Sequence, residues 1–217
     1  MKNIKDITSV FNIHGDENYP ITFMHLFNFH IANQKAKQLG IRYIEEDMNR
    51  IWNTLETGTS IEHTQAQKLY QKIKDSKYLL DFHLTTADQE DCVICLSLNN
   101  YVLDIAKLFG INYILILDDN NNSLISKFNN AVSIEISKHN LIYSLNRIIP
   151  NIKNHTQTHN KPLILRQIGV RNNNPTIIKT TQNLKDYNGI YYSFIGEKAY
   201  RGKFLILKKY NEATQNE

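Results

Sequence analysis

Tyr113-Ile114-Leu115-Ile116-Leu117 is apolar at every position, the pattern of a strand covered on both sides of a sheet. Apolar runs at Ile7–Ile13, Phe27–Ala32, Tyr78–Leu84, Cys92–Leu98 and Ala131–Ile136 predict further strands. Helical patterns fall between them, over Ile21–Leu26, Met48–Leu55, Ile61–Lys74, Tyr101–Phe109, Ser123–Phe128 and Leu141–Ile149. Alternation of this kind predicts an α/β fold, a central sheet flanked by helices.

The pattern changes after Pro150. As far as Lys161 the chain is polar, with no branched apolar residue after Ile152, and reads as a linker. Beyond it only strands are predicted, over Pro162–Val170, Thr176–Thr181, Gly189–Ile195 and Lys203–Tyr210. The expected division is residues 1–152, a linker at 153–161, and a small β-rich C-terminal domain at 162–217, whose last residues from Asn211 are polar and frayed. Neither an internal repeat nor a GxGxxG phosphate loop is present.

Composition narrows the class. With 41% hydrophobic and 21% charged residues over 217 positions, the chain has the means to bury a core, which argues against disorder. A formal charge of +4 raises the question of nucleic acid, but the basic residues are scattered among acids with no stripe or stacking motif, so no nucleic-acid partner is expected. Met1 to Ile13 mixes charge with a short apolar stretch, so neither a signal peptide nor a membrane span is expected, and a cytoplasmic protein is the simplest reading. Cys92 and Cys95 form CxxC inside a predicted strand, where odd spacing sends them to opposite faces and makes them two buried structural thiols.

His14 and Glu17 form an HxxE pair just after the first strand, and His83 sits near the end of the strand Tyr78–Leu84. Two imidazoles and a carboxylate, with one position left open, are a donor set that a hydrolytic zinc ion requires, and all three fall at strand ends where α/β sheets collect ligands. Glu135 stands inside the apolar run Ala131–Ile136. Alone, such a Glu is more often a paired structural residue than a catalyst, and its catalytic reading depends on a metal close by. His25, His30, His139, His155 and His159 lack motif context and are read as non-ligands.

His14-Gly15-Asp16-Glu17, Asn33-Gln34-Lys35-Ala36, Arg42 to Arg50, and Asp81-Phe82-His83-Leu84-Thr85-Thr86 follow one another along the chain. In that order they resemble the HGNE, NPxA, RYIDxDLNR and DLHxTT blocks of the aspartoacylase and succinylglutamate desuccinylase family of zinc-carboxypeptidase-like enzymes. Ala131–Ile136 resembles that family's PVGIEVG segment, and Gly196 to Tyr200 its NEAAY segment. The chain departs from the pattern at Asp16, at Gln34 and Lys35, and in the short stretch between Glu17 and Asn33.

The resemblance implies a zinc-dependent hydrolase that cleaves a small carboxylate-bearing amide such as an N-acyl amino acid, with one zinc per chain and no organic cofactor. It implies that His14, Glu17 and His83 hold the metal, that Glu135 is the general base and that Arg42 stabilises the oxyanion. Asn49 and Arg50 would hold a substrate carboxylate, and Tyr200 would reach the same pocket from the β-rich domain. Lys127 is the nearest basic residue upstream of Glu135 for an acidic acyl group, though no motif surrounds it.

Other readings of these residues stay open on the sequence. Arg42 and Arg50 lie near Glu45, Glu46 and Asp47 and also fit surface ion pairs. Asp47 also fits the orienting of Arg42, His14 or a loop backbone; Asp81 fits a ligand's partner or a strand-end cap; Tyr200 fits an amphipathic β-surface residue. Rival functions are a peptidase with the same machinery and a non-catalytic binding protein that keeps the fold. The sequence leaves the oligomeric state, acyl group and amine undetermined.

Overall fold

Leu79–Thr85 is buried at all seven positions, yet its two faces carry different chemistry. Leu80, Phe82 and Leu84 point into one apolar cluster, Leu79 joins another on the opposite face, and Asp81, His83 and Thr85 follow Leu79 on that second face. The computed structural model describes residues 4–118, 122–154, 156, 161–172, 182–195 and 203–210.

Among the described residues nine strands form one mixed sheet: β1 (Thr8–Phe11), β2 (Asn28–Ile31), β3 (Leu79–Thr85), β4 (Cys92–Cys95), β5 (Tyr113–Ile116), β6 (Ala131–Ser137), β7 (Leu163–Asn172), β8 (Ile190–Ser193) and β9 (Lys203–Lys209). Their order across the sheet is β2-β1-β3-β6-β4-β5-β7-β9-β8. β4 runs antiparallel to β6, and β9 runs antiparallel to β7 and β8; the other neighbours are parallel.

The described residues also include five α-helices: α1 (Ile21–Met24), α2 (Gln34–Leu39), α3 (Ile61–Ile73), α4 (Asn100–Phe109) and α5 (Leu141–Asn154). α4 and α5 cover the first face through Ile105, Ala106, Leu145 and Ile148, packed with Phe11 and Phe82. Those two rings stack 4.4 Å apart, 2° from parallel. Burying one such phenyl ring contributes about 1.5–3 kcal/mol. α3 covers the second face with Ala66, Leu69 and Ile73, beside Trp52, Leu115 and Leu205. The expected α/β architecture is therefore present.

Several elements differ from expectation for local reasons. Met48–Leu55 is not one helix but two 3-10 turns, Met48–Arg50 and Trp52–Thr54, separated by Ile51 at φ −115°. The break lets Trp52 enter the core while its backbone N–H donates to the Asn122 carbonyl. Ser123–Phe128 shortens to a 3-10 turn at Leu124–Lys127. α5 continues through Pro150 to Asn154, because Ile152 extends the buried stripe of Leu145 and Ile148 by another turn.

α2 was not expected. Asn33 caps it by accepting from the Ala36 N–H, and Gly40 ends it at φ +66°. The strand expected over Thr176–Thr181 lies outside the described residues. β7 pairs with β5 from Tyr113↔Leu163 onward, so the C-terminal strands extend the same sheet, and α5 occupies the first two residues of the expected linker. Cys92 packs in the second cluster and Cys95 in the first; both are free, and burial pushes the Cys95 thiol up to about 12.

Candidate metal centre and active site

β1 ends at Phe11, and Asn12 turns the chain at φ +57°, a conformation that Asn tolerates better than most residues. Its buried amide donates to the Glu17 carbonyl at 2.8 Å and accepts from Lys37 Nζ at 2.9 Å. Gly15 lets this loop press against α2, since a Cβ there would lie 2.2 Å from the Ala36 carbonyl carbon. His14 and Glu17 are thereby held against His83 of β3.

Nδ1 of His14 lies 2.7 Å from Glu17 Oε1, Nδ1 of His83 lies 3.1 Å from Glu17 Oε2, and the two Nδ1 atoms are 3.3 Å apart. Two nitrogens bound tetrahedrally at zinc distances are separated by about 3.3 Å, so the imidazole pair fits zinc. The 2.7 Å contact is that of a charge-assisted hydrogen bond. Among the described residues, these three are the group of His, Cys, Asp and Glu side chains whose ligand atoms converge in this way.

Each imidazole is fixed from behind. His83 Nε2 lies 2.8 Å from Asp81 Oδ2, and His14 Nε2 lies 2.9 Å from Asp47 Oδ1. A carboxylate on the outer nitrogen orients the ring and directs the other nitrogen inward. Asp81 is fully buried, receives a long 3.4 Å hydrogen bond from Ser133 Oγ, and its Oδ1 has no hydrogen-bond partner among the described residues.

Burial would lower the pKa of both histidines, but charge outweighs it. Glu17 and Asp47 hold His14 above its ordinary value, and Asp81 and Glu17 hold His83 well above. Burial would raise Glu17, yet the two imidazoles keep it well below the usual carboxylate range.

Arg42 lies beside this set: Nη2 is 2.8 Å from His14 Nε2 and 3.3 Å from Asp47 Oδ2, and Nη1 is 3.3 Å from Glu17 Oε1. Its loop hangs on the buried Glu62 of α3, whose carboxylate accepts from the N–H groups of Ile44, Glu45 and Glu46 and from the Asn33 side chain. Asp47 accepts from the Asn49 N–H at 2.9 Å, and Asn49 Oδ1 accepts from the Leu124 N–H at 3.0 Å, tying this loop to the segment before β6.

A cavity of about 330 Å³ lies over these residues, lined by His14, Glu17, Arg42, Asn49, Arg50, His83 and Glu135. Glu135 sits directly beside His83 in the parallel register of β3 and β6, on the same face, and is half-buried. Seven of the nine sequence-derived candidates thus meet at one cavity. Lys127 is exposed at the end of its 3-10 turn and does not line it. Tyr200 lies outside the described residues. Sequence reasoning missed Asn12 and Glu62, which build the loops, and the lining residues Ile94, Leu96, Leu117, Gln167 and Lys203. Asn12, separated from the HxxE pair by Ile13 alone, was a readable turn signal; Glu62 carried none.

Residues 25–138 match the sequence model of the succinylglutamate desuccinylase/aspartoacylase catalytic domain, a span that includes Arg42, Asn49, Arg50, His83 and Glu135. No curated protein matches the chain by sequence. Among solved structures, a single-substitution variant of murine aminoacylase 3 superposes with a TM-score of 0.75 at 15% identity, over 97% of this chain and 96% of that one. Succinylglutamate desuccinylase from Vibrio parahaemolyticus gives 0.75 at 14% identity, over 97% and 83% of the two chains. The enzyme of that name from Chromobacterium violaceum gives 0.74 at 14%, over 94% and 84%. At such identities the superpositions establish the shared fold, and the sequence match establishes the lineage: this chain belongs to the succinylglutamate desuccinylase/aspartoacylase catalytic-domain family.

Proposed function

We propose that this protein is a zinc-dependent hydrolase that cleaves the amide of an N-acyl amino acid or a similar small amide bearing a carboxylate. The observation that carries the reading is the convergence of His14, Glu17 and His83 on one point of a cavity whose next strand presents Glu135. His14, Glu17 and His83 would hold one zinc ion, which when bound supplies Lewis acidity toward water and the amide carbonyl. Asp81 and Asp47 keep both imidazoles aimed at it.

Glu135 takes a proton from the attacking water and delivers it to the departing amine. Arg42 stands beside the ligand set, where its charge stabilises the oxygen that becomes negative as the carbonyl is attacked. Arg50 and Asn49, at the cavity wall, bind the substrate carboxylate. The products are a carboxylic acid and a free amine. A cavity of about 330 Å³ suits a small molecule better than a folded protein. The free thiols Cys92 and Cys95 accord with a cytoplasmic setting, and no described helix is long and apolar enough to cross a membrane.

The test is release of primary amine from a panel of N-acyl amino acids by the zinc-loaded protein, repeated after chelation. Zinc-dependent turnover is expected. A protein that binds zinc yet releases no amine from any member is the non-catalytic binding protein instead.

A further inference from the structure

The cavity floor changes character from one strand to the next. Asp81 pairs with Ser133, Ser133 with Ile94, Ile94 with Leu115, and Leu115 with Leu165, so one row of side chains can be followed from β3 across to β7, on the same face as the neighbouring pair His83 and Glu135. Alternation carries Leu96 to the side of Ile94 and Leu117 to the side of Leu115. On β3 and β6 this floor is His83, Ser133 and Glu135; on β4, β5 and the residue after each it is Ile94, Leu96 and Leu117. Ile125, Phe194 and Leu205 add apolar wall around it. Strands lie about 4.8 Å apart, so roughly 10 Å of hydrocarbon floor begins one strand away from Ser133, while Cys92 is the β4 partner of Glu135.

Among the described residues, Arg42, Arg50 and Lys203 are the Lys and Arg side chains that line the cavity. Arg42 is engaged by Glu17 and Asp47. Arg50 lies in the loop after Asp47, and Lys203 is exposed at the start of β9, in register with Asn172. A carboxylate laid on Ile94, Leu96 and Leu117 would lose its water without gaining a partner, whereas a hydrocarbon group there gains from leaving water.

Resting on the deacylase reading above, we propose that this site selects amides carrying one carboxylate, held at Arg50, and an aliphatic or aromatic group that lies on Ile94, Leu96 and Leu117. Amides with a second carboxylate are the disfavoured class. The apolar group belongs either to the acyl half or to the side chain of the amine half; the hydrocarbon chemistry of the floor is common to both.

The experiment measures kcat/KM on the zinc-loaded full chain with two graded series. N-acetyl-glycine, -alanine, -valine and -leucine vary the amine half; N-acetyl-, N-butanoyl- and N-hexanoyl-glycine vary the acyl half. N-acetyl-aspartate and N-succinyl-alanine supply the second carboxylate. In at least one series kcat/KM is expected to rise about threefold to fourfold per added methylene, the value of one buried CH₂. N-acetyl-leucine or N-hexanoyl-glycine should then exceed both acidic amides by tenfold or more.

Leu117→Lys should cut that preference at least tenfold, with Leu96→Ser as the second variant if Leu117→Lys does not fold. Faster hydrolysis of the acidic amides, lost in Lys203→Ala, would overturn the inference and leave the deacylase reading intact. If no amide is hydrolysed, the deacylase reading falls, and calorimetry decides the floor separately. Tighter binding of N-acetyl-leucine than of N-acetyl-aspartate upholds the apolar site, and the reverse order overturns it.

Discussion

Phe82 and His83 are adjacent, equally buried in the same strand, and do opposite work. Phe82 meets Phe11, Phe23, Phe27 and Phe109, and its contribution is area removed from water. His83 meets Glu17, Asp81 and His14, and its burial by itself is unfavourable. What offsets it is the ring of opposite charges that raises its pKa. Burial alone therefore does not separate scaffold from chemistry in this sheet; the kind of partner does, and the period of two assigns each kind to its own face.

If the second face is the chemical one, the largest effect belongs to Glu135→Gln. The amide keeps the shape but cannot accept a proton, so turnover should fall about a hundredfold to ten-thousandfold with zinc content unchanged. Folded, zinc-loaded Glu135→Gln with wild-type turnover would remove Glu135 from the mechanism.

On the first face, Phe82→Ala should cost about 3–5 kcal/mol of stability in denaturant titration. Its activity per folded, zinc-loaded molecule should stay near wild type. A loss of activity without a loss of stability would erase the division between the faces.

The smallest of the three effects is the most specific. Asp81→Asn keeps a hydrogen-bonding group behind His83 but removes its charge, and zinc affinity should drop about tenfold to a hundredfold in competition with a chelator. The pH dependence carries a sign as well. Asp81 and Glu17 raise the His83 pKa, so protons compete for the ligand and zinc affinity must fall as the pH falls below that raised value. Weakening the proton's hold through Asp81→Asn should shift this loss to lower pH.

The sheet was legible where strands carry apolar runs, as at Tyr113–Ile116 and Leu79–Thr85, because period and composition agree there. The short helical elements were not. α2 is six residues with Ala36 its one buried side chain, so its signal lay in the Asn33 and Gly40 caps rather than in periodicity. Met48–Leu55 carries a helical pattern, but tertiary bonds from Trp52 to Asn122 and from Leu124 to Asn49 hold it in two turns.

The three expected ligands could be read because chemistry restricts them to His and Glu at strand ends. Asp47 and Asp81 were readable only as alternatives, since nothing local tells which nitrogen a carboxylate will meet. The apolar floor was invisible: Ile94, Leu96 and Leu117 come to line the same cavity as Glu135 only through an antiparallel and then a parallel strand pairing that sequence does not encode locally.

Zinc content measured on wild type and on His14→Ala/His83→Ala, both dialysed against the same buffered zinc, tests the central claim most directly. Two imidazoles supply two of the three protein donors, so the wild type should hold about one zinc per chain and the double variant close to none, with both folded. Equal zinc in the two proteins would contradict the account.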